Sequence, residues 1–158
     1  HRRTTIGDLF TSPSDMGTLD SITVYADAYS GTQLLKGVAV LHSTLVIVTN
    51  GVGGAGTINA VPGWVTSTMA TPPTLSASTE YLIMFIHDAN DIIYYYDAGA
   101  VNQDHNDGTN SYTTPTDPTD AEHPGTNKWS AYGTYTVGGA PSIKAGYYYR
   151  LFGKGRAN

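Results

Sequence analysis

From Tyr81 to Ile86 the chain runs Tyr-Leu-Ile-Met-Phe-Ile without a polar residue, closed by Glu80 and His87 at its ends. Turn-forming residues flank it, with Ser78-Thr79 before and Asp88-Ala89-Asn90 after. A strand sends alternate side chains to opposite faces, so this strand is apolar on both. Such a strand is stable only in the middle of a sheet that is covered on both sides. Residues 80–87 are therefore expected to be the central, most buried strand.

The remaining segments read as strands. Residues 19–29 alternate, with Ile22, Val24 and Ala26 on one face and Thr23 and Tyr25 on the other. Further strands are expected over 33–41, 44–49, 63–70, 92–97, 129–137 and 144–152, with a turn at His42-Ser43 and a Gly-rich loop over 50–56. No segment carries a 3.6-residue apolar period. The chain has 158 residues, enough for one β-sandwich with an ordinary core. The expected fold is all-β: a single-domain, jelly-roll-like antiparallel β-sandwich of about eight strands, with inward alternation. Residues 98–128 interrupt the pattern as a long acidic loop, either functional and ordered by a partner or a disordered surface insertion. Pro115 and Pro118 bar a regular strand from its centre.

Charge narrows the partners. Charged residues make up only 13 % of the chain and the net charge is −5, which argues against nucleic acid. No apolar run approaches the roughly 18 residues of a membrane span. Absence of cysteine removes disulfides, thiolate metal sites and a cysteine nucleophile. The chain begins at His1, which suits a trimmed leader and an extracellular or particle-surface location. Between Asp88 and Glu122 there are eight acidic residues and no Lys or Arg, whereas Arg2, Arg3, Lys144, Arg150, Lys154 and Arg156 lie near the ends. That asymmetry suits head-to-tail contact between copies, or neutralisation within one chain.

Thr18-Leu19 with Ile22-Thr23-Val24-Tyr25, then Leu75-Ser76-Ala77-Ser78-Thr79-Glu80-Tyr81-Leu82, then Tyr94-Tyr95-Tyr96-Asp97 carry a resemblance. The pattern resembles jelly-roll modules of secreted bacterial proteins, carbohydrate-binding modules and phage or surface structural proteins. It spans about residues 8–137, with Ser78 where such modules often have Gly. The resemblance implies the fold, and a structural calcium ion as a frequent companion. Asp104-His105-Asn106-Asp107-Gly108 gathers hard oxygen donors in an apparent turn, so Asp104, Asn106, Asp107 and Asp97 are the expected Ca²⁺ ligands, with Asp117 and Asp120 in reserve. The alternative is an Asx-rich turn without an ion.

Catalysis finds no foothold. The five histidines are scattered without ligand spacing, only two glutamates occur, and there is no nucleophile elbow or phosphate loop. Aromatics are the informative set: twelve Tyr, with triplets at 94–96 and 147–149. At least one Tyr of each triplet must face outward. Tyr95, Tyr148, Trp64 and Trp129 are therefore candidates for stacking on sugar rings or for a subunit interface, against the plainer reading that they fill the core. Residues 4–10 form a strand that either completes its own sheet or adds to a neighbouring copy, which makes Arg2, Arg3, Ile6, Leu9 and Phe10 the assembly candidates. Two functions follow. The first is a non-catalytic structural subunit of an extracellular or particle-surface assembly, a filament, tube or capsid decoration that binds copies of itself. The second is a carbohydrate-binding module that holds glycans on exposed Tyr and Trp.

Overall fold

The computed structural model describes residues 5–88, 92–101, 103–107, 110–119 and 126–138, and the backbone of 147–148. Among these residues every regular element is a strand. In chain order they are β1 (Thr5–Thr11), β2 (Met16–Ala28), β3 (Gln33–Leu41), β4 (Val46–Val52), β5 (Gly56–Ile58), β6 (Gly63–Thr68), β7 (Glu80–His87), β8 (Ile92–Tyr94), β9 (Tyr96–Ala98), β10 (Asp104–Asp107), β11 (Asn127–Trp129), β12 (Ala131–Val137) and β13 (Tyr147–Tyr148). All pairings are antiparallel. One sheet runs β10-β1-β7-β3-β4, with β5 also on β3. The other runs β13-β12-β2-β6, with β8 also on β2, and β9 and β11 form a short ribbon.

The two sheets pack face to face. From the second sheet come Leu19, Ile22, Val24 and Val65; from the first come Ile6, Leu35, Ala39, Ile83 and Phe85. Gly37 marks the closest approach, since a Cβ there would lie 2.7 Å from the Ile22 Cβ. The long β2 spans this interface because its inward residues are apolar and its outward ones are Ser21, Thr23, Tyr25 and Asp27.

β7 lies between β1 and β3, paired along its whole length with both. Its inward residues Tyr81, Ile83 and Phe85 join the sandwich core, and Leu82, Met84 and Ile86 form a second cluster on the outer face with Val38 and Val40. Leu9, Leu45, Ile47 and Val52 pack on that face, and residues 110–119 add to its cover through Tyr112. Asn110 folds the segment by accepting from the Ser111 and Thr116 amides and donating to the Thr116 carbonyl. Tyr112 then packs on the outer cluster, and its carbonyl accepts a 3.0 Å bond from Lys36 Nζ. The Lys36 ammonium also sits 4.5 Å from the Tyr112 ring centroid. Asp117 accepts from the Ile47 amide at 2.7 Å and so caps an open donor on edge strand β4.

Two sequence expectations are corrected here, and a third is decided between its alternatives. About eight strands become thirteen shorter pieces, because 92–97 breaks at Tyr95, 129–137 breaks at Ser130, and β5 and β10 add to the sheets. The long acidic loop is in part sheet, contributing β10 and β11, and its described middle is part of the cover just named. Of the two readings of the N-terminal segment, the structure shows the one in which it completes its own sheet: β1 is hydrogen-bonded to β7 on one side and β10 on the other. Ile6 is in the core, and Phe10 and Leu9 pack against the inner and outer clusters respectively. Arg2 and Arg3 lie outside the described residues.

Ser78, in the turn before β7, has φ 49°, the left-handed region that costs a non-glycine residue about 1 kcal/mol or more. Its side chain is exposed, and its amide donates to the Ser12 carbonyl. Ser78→Gly is expected to raise stability by about 0.5–1 kcal/mol, after the extra chain entropy of glycine is subtracted. Urea unfolding at neutral pH checks this, with an unchanged m-value.

Candidate functional site

On the outward face of β2 and its neighbours, four aromatic rings form a continuous row. Tyr25 and Trp64 are directly opposite in the β2–β6 register, their centroids 5.1 Å apart at 64°. Tyr95 meets Tyr25 from the other side at 5.1 Å and 67°. Tyr132 meets Trp64 at 5.2 Å and 62°. Each contact is edge-to-face, the arrangement the ring quadrupoles favour. The three tyrosines are half-buried, and Trp64 is 47 % exposed.

Hydroxyls continue the same face. Thr23 and Thr66 are hydrogen-bonded at 2.9 Å, and Ser21 and Thr134 at 2.7 Å. Thr68 and Thr136 stand exposed on the flanking strands. Asp27, the next outward residue of β2 after Tyr25, has a buried Oδ1 without a hydrogen-bond partner. The face thus offers ring surfaces beside oxygen acceptors and hydroxyls. Alternation on β2, β6 and β12 builds it, since Val24, Val65 and Ala131 between these residues point into the core.

Beneath one end of this face lies a buried carboxyl pair. Asp8 and Asp104 are direct partners in the β1–β10 register, 1 % and 3 % exposed. Trp129 ties them together. Its backbone amide donates to Asp8 Oδ2 at 2.9 Å, and its indole Nε1–H donates to Asp104 Oδ1 at 2.9 Å. Asn127 donates to Asp104 Oδ2 at 3.2 Å. Asp8 Oδ1 is buried with no partner. Burial pushes the Asp8 carboxyl up to about 8; the Trp129 amide opposes this, the neighbouring Asp104 adds to it, and Lys128 opposes it. Close by, Tyr94 packs on Phe85 and Trp129, its hydroxyl 3.0 Å from His87 Nδ1, and burial raises its phenol well above the usual range.

The structure separates the sequence candidates. Trp64 and Tyr95 join the outward row. Trp129 does not: it is 6 % exposed, packed on Tyr94 and Tyr96, and belongs to the core. The backbone of Tyr148 pairs with Thr134, and its side chain is outside the described set. The expected calcium ligands do not form a turn. Asp104, Asn106 and Asp107 lie on strand β10, where Asp104 and Asp107 point to opposite faces. Asp104 spends both oxygens on Trp129 and Asn127, and Asp97 sits on β9 opposite Lys128. Asp117 caps β4, and Asp120 lies outside the described residues. No three His, Cys, Asp or Glu gather as a metal group among the described residues.

Sequence reading missed Tyr132 and Asp8. Tyr132 is signalled only by its alternation with Ala131 and Gly133. Asp8 carries no signal, because a lone Asp in a strand is ordinarily solvent-facing. Folded Asp8 holds a proton that the unfolded chain has released above its ordinary value of 3.8. Its contribution to stability is complete below about pH 4 and is lost as pH rises toward about 8. Asp8→Asn does not titrate, so its stability relative to wild type is expected to rise with pH across that window. The gain is at most about 1.4 kcal/mol per pH unit, levelling off above it, and urea unfolding at stepped pH measures it. Comparison with known proteins found no matching family model, no similar curated protein and no similar solved structure.

Proposed function

We propose that this domain is a non-catalytic carbohydrate-binding module and that the Tyr95–Tyr25–Trp64–Tyr132 row is its glycan face. The observation that carries this reading is the exposed Trp64 ring held edge-on by two tyrosines on an otherwise hydroxylated sheet face. A pyranose presents a face of C–H groups to such a ring and a rim of hydroxyls to its surroundings. The exposed Thr66 and Thr68 are the complementary polar groups. Ring positions fixed by neighbouring rings also reduce the entropy lost on binding. Passage of the chain back and forth between the sheets supports a jelly-roll-like sandwich, and a location outside the cell or on a particle surface goes with the reading.

A protein interface is the competing use of such a face. Interfaces favour Arg and Met among the aromatics. The two basic residues among the described ones, Lys36 on β3 and Lys128 on β11, lie on strands other than those that carry this row. The self-assembly reading also relied on an available N-terminal strand, and β1 is already paired on both sides.

The chain has two tryptophans, one exposed and one buried, so ligand stacking reports through one of them. Affinity electrophoresis in gels containing soluble β-glucan, xylan, mannan or a bacterial exopolysaccharide is expected to retard the protein in at least one. Bound oligosaccharide should shift Trp64 emission and leave Trp129→Phe responsive. Trp64→Ala should weaken binding at least tenfold, about 1.4 kcal/mol, with the fold intact. Equal retention of wild type and Trp64→Ala defeats the proposal. So does a protein that ignores every polysaccharide while light scattering shows ordered oligomers that Trp64→Ala dissolves, an outcome that would establish subunit assembly.

A further inference from the structure

Between the buried carboxyls and the aromatic row lies a single stretch of backbone. Trp129 is held on one side by Asp8 through its amide and by Asp104 through its indole. The next residue, Ser130, donates its amide to the Tyr95 carbonyl at 2.8 Å and accepts the Tyr25 amide at 2.8 Å. Two residues further on, Tyr132 itself closes the row against Trp64. Three of the four rings are thus positioned by residues 130–132, and that segment is anchored on the carboxyl pair.

Asp8 keeps one oxygen, Oδ1, buried without a partner, directly across the strand pair from Asp104. A neutral carboxyl tolerates a buried oxygen without a partner far better than a carboxylate does. With both groups ionised, two like charges would face each other across β1 and β10, with Lys128 opposing them among the described residues. The groups around Asp8 are Asp104 on β10, Lys128 and the Trp129 amide on β11, and the apolar Ile83 opposite it on β7. Tyr94 and Tyr96 pack on Trp129 from β8 and β9.

We propose that a proton held on Asp8, buried beside Asp104, is a latch that seats residues 129–132, so that the aromatic face is ordered with the proton bound and loosens when Asp8 is ionised. The consequence for ligands rests on the glycan reading of the face, whereas the latch itself does not. The expected behaviour is an alkaline loss of binding, with the transition near the point where burial has placed Asp8.

The test uses the full chain, uniformly labelled with ¹³C and ¹⁵N. Carboxyl ¹³C shifts follow Asp8 directly, and the amide signals of Tyr25 and Ser130 follow the segment between pH 6 and pH 10. A shared step in the Asp8 carboxyl and in both amides is expected in wild type and absent from the two amides of Asp8→Asn. Asp104→Asn removes the neighbouring charge, so its step should move to lower pH; it serves as the second variant where Asp8→Asn does not fold. Gel retention on the polysaccharide that binds best should fall at least fivefold from pH 6.5 to pH 9.5 in wild type and stay level in Asp8→Asn. An Asp8 carboxyl already ionised at pH 6, or amide steps that persist unchanged in Asp8→Asn, overturns the latch. Amide steps without a change in retention overturn its link to binding. If no polysaccharide binds at any pH, the glycan reading fails, and the latch is decided by the carboxyl and amide signals alone.

Discussion

Everything in this fold answers to the need to cover β7 twice. One row of its side chains, Tyr81, Ile83 and Phe85, is covered by the second sheet. The other row, Leu82, Met84 and Ile86, would face water unless something crossed over it. Burying each of these large apolar side chains is worth about 1.5–3 kcal/mol, which is a large fraction of the stability of a domain this size. Residues 110–119 supply part of that cover, beside Leu9, Leu45, Ile47 and Val52, and their composition follows from the task. Asn110 shapes the turn, Tyr112 supplies the apolar area, and Asp117 closes a donor on β4. An acidic, Pro-rich segment that reads as an insertion is therefore part of the core's boundary.

The second constraint is Trp129. A buried indole needs an acceptor for its N–H, and a strand that ends inside the molecule needs one for its amide. Asp104 and Asp8 meet these needs, at the expense of placing two carboxyls side by side away from water. That arrangement is unfavourable for either alone and is made tolerable by four partners: the indole, the Trp129 amide, Asn127 and a proton. It also explains why the polar sequence Asp-His-Asn-Asp enters the sheet as β10. The strand is short of apolar residues, but its inward carboxyl is the group that Trp129 requires.

These contacts account for what the sequence made legible and what it did not. The bounds of β3 and β7 match the residues expected from their apolar density, and the two faces of β2 follow from simple alternation. Trp64 lies in Gly-Trp-Val-Thr-Ser-Thr, where Val65 fixes the inward parity and so turns the indole outward. Trp129 lies in Asn-Lys-Trp-Ser-Ala-Tyr, where it shares the inward parity of Ala131 across the break at Ser130, but that parity is readable only once Ala131 is known to face the core. Asp104 looked like a cation ligand because its neighbours are oxygen donors. Its role depends on Trp129, twenty-five residues later, and on Asp8, which precedes it by nearly a hundred. Such pairings are properties of the sheet register and are written nowhere in the local sequence.

The second sheet divides its labour between two faces. Its inner face is aliphatic and close-packed against Gly37 and its neighbours, where a single added carbon has no room. Its outer face carries rings that touch one another at their edges and leave one indole plane half in solvent. Edge-to-face contacts would be equally satisfied by rings turned flat into a groove, and flat burial would remove more apolar area from water. The sheet instead keeps Trp64 raised, with hydroxyls beside it that hydrogen-bond to each other and not to the ring. Ser130 joins this face to the core below it, since its carbonyl accepts from the Tyr25 amide and its own amide donates to the Tyr95 carbonyl, one residue after the Trp129 held by Asp8 and Asp104.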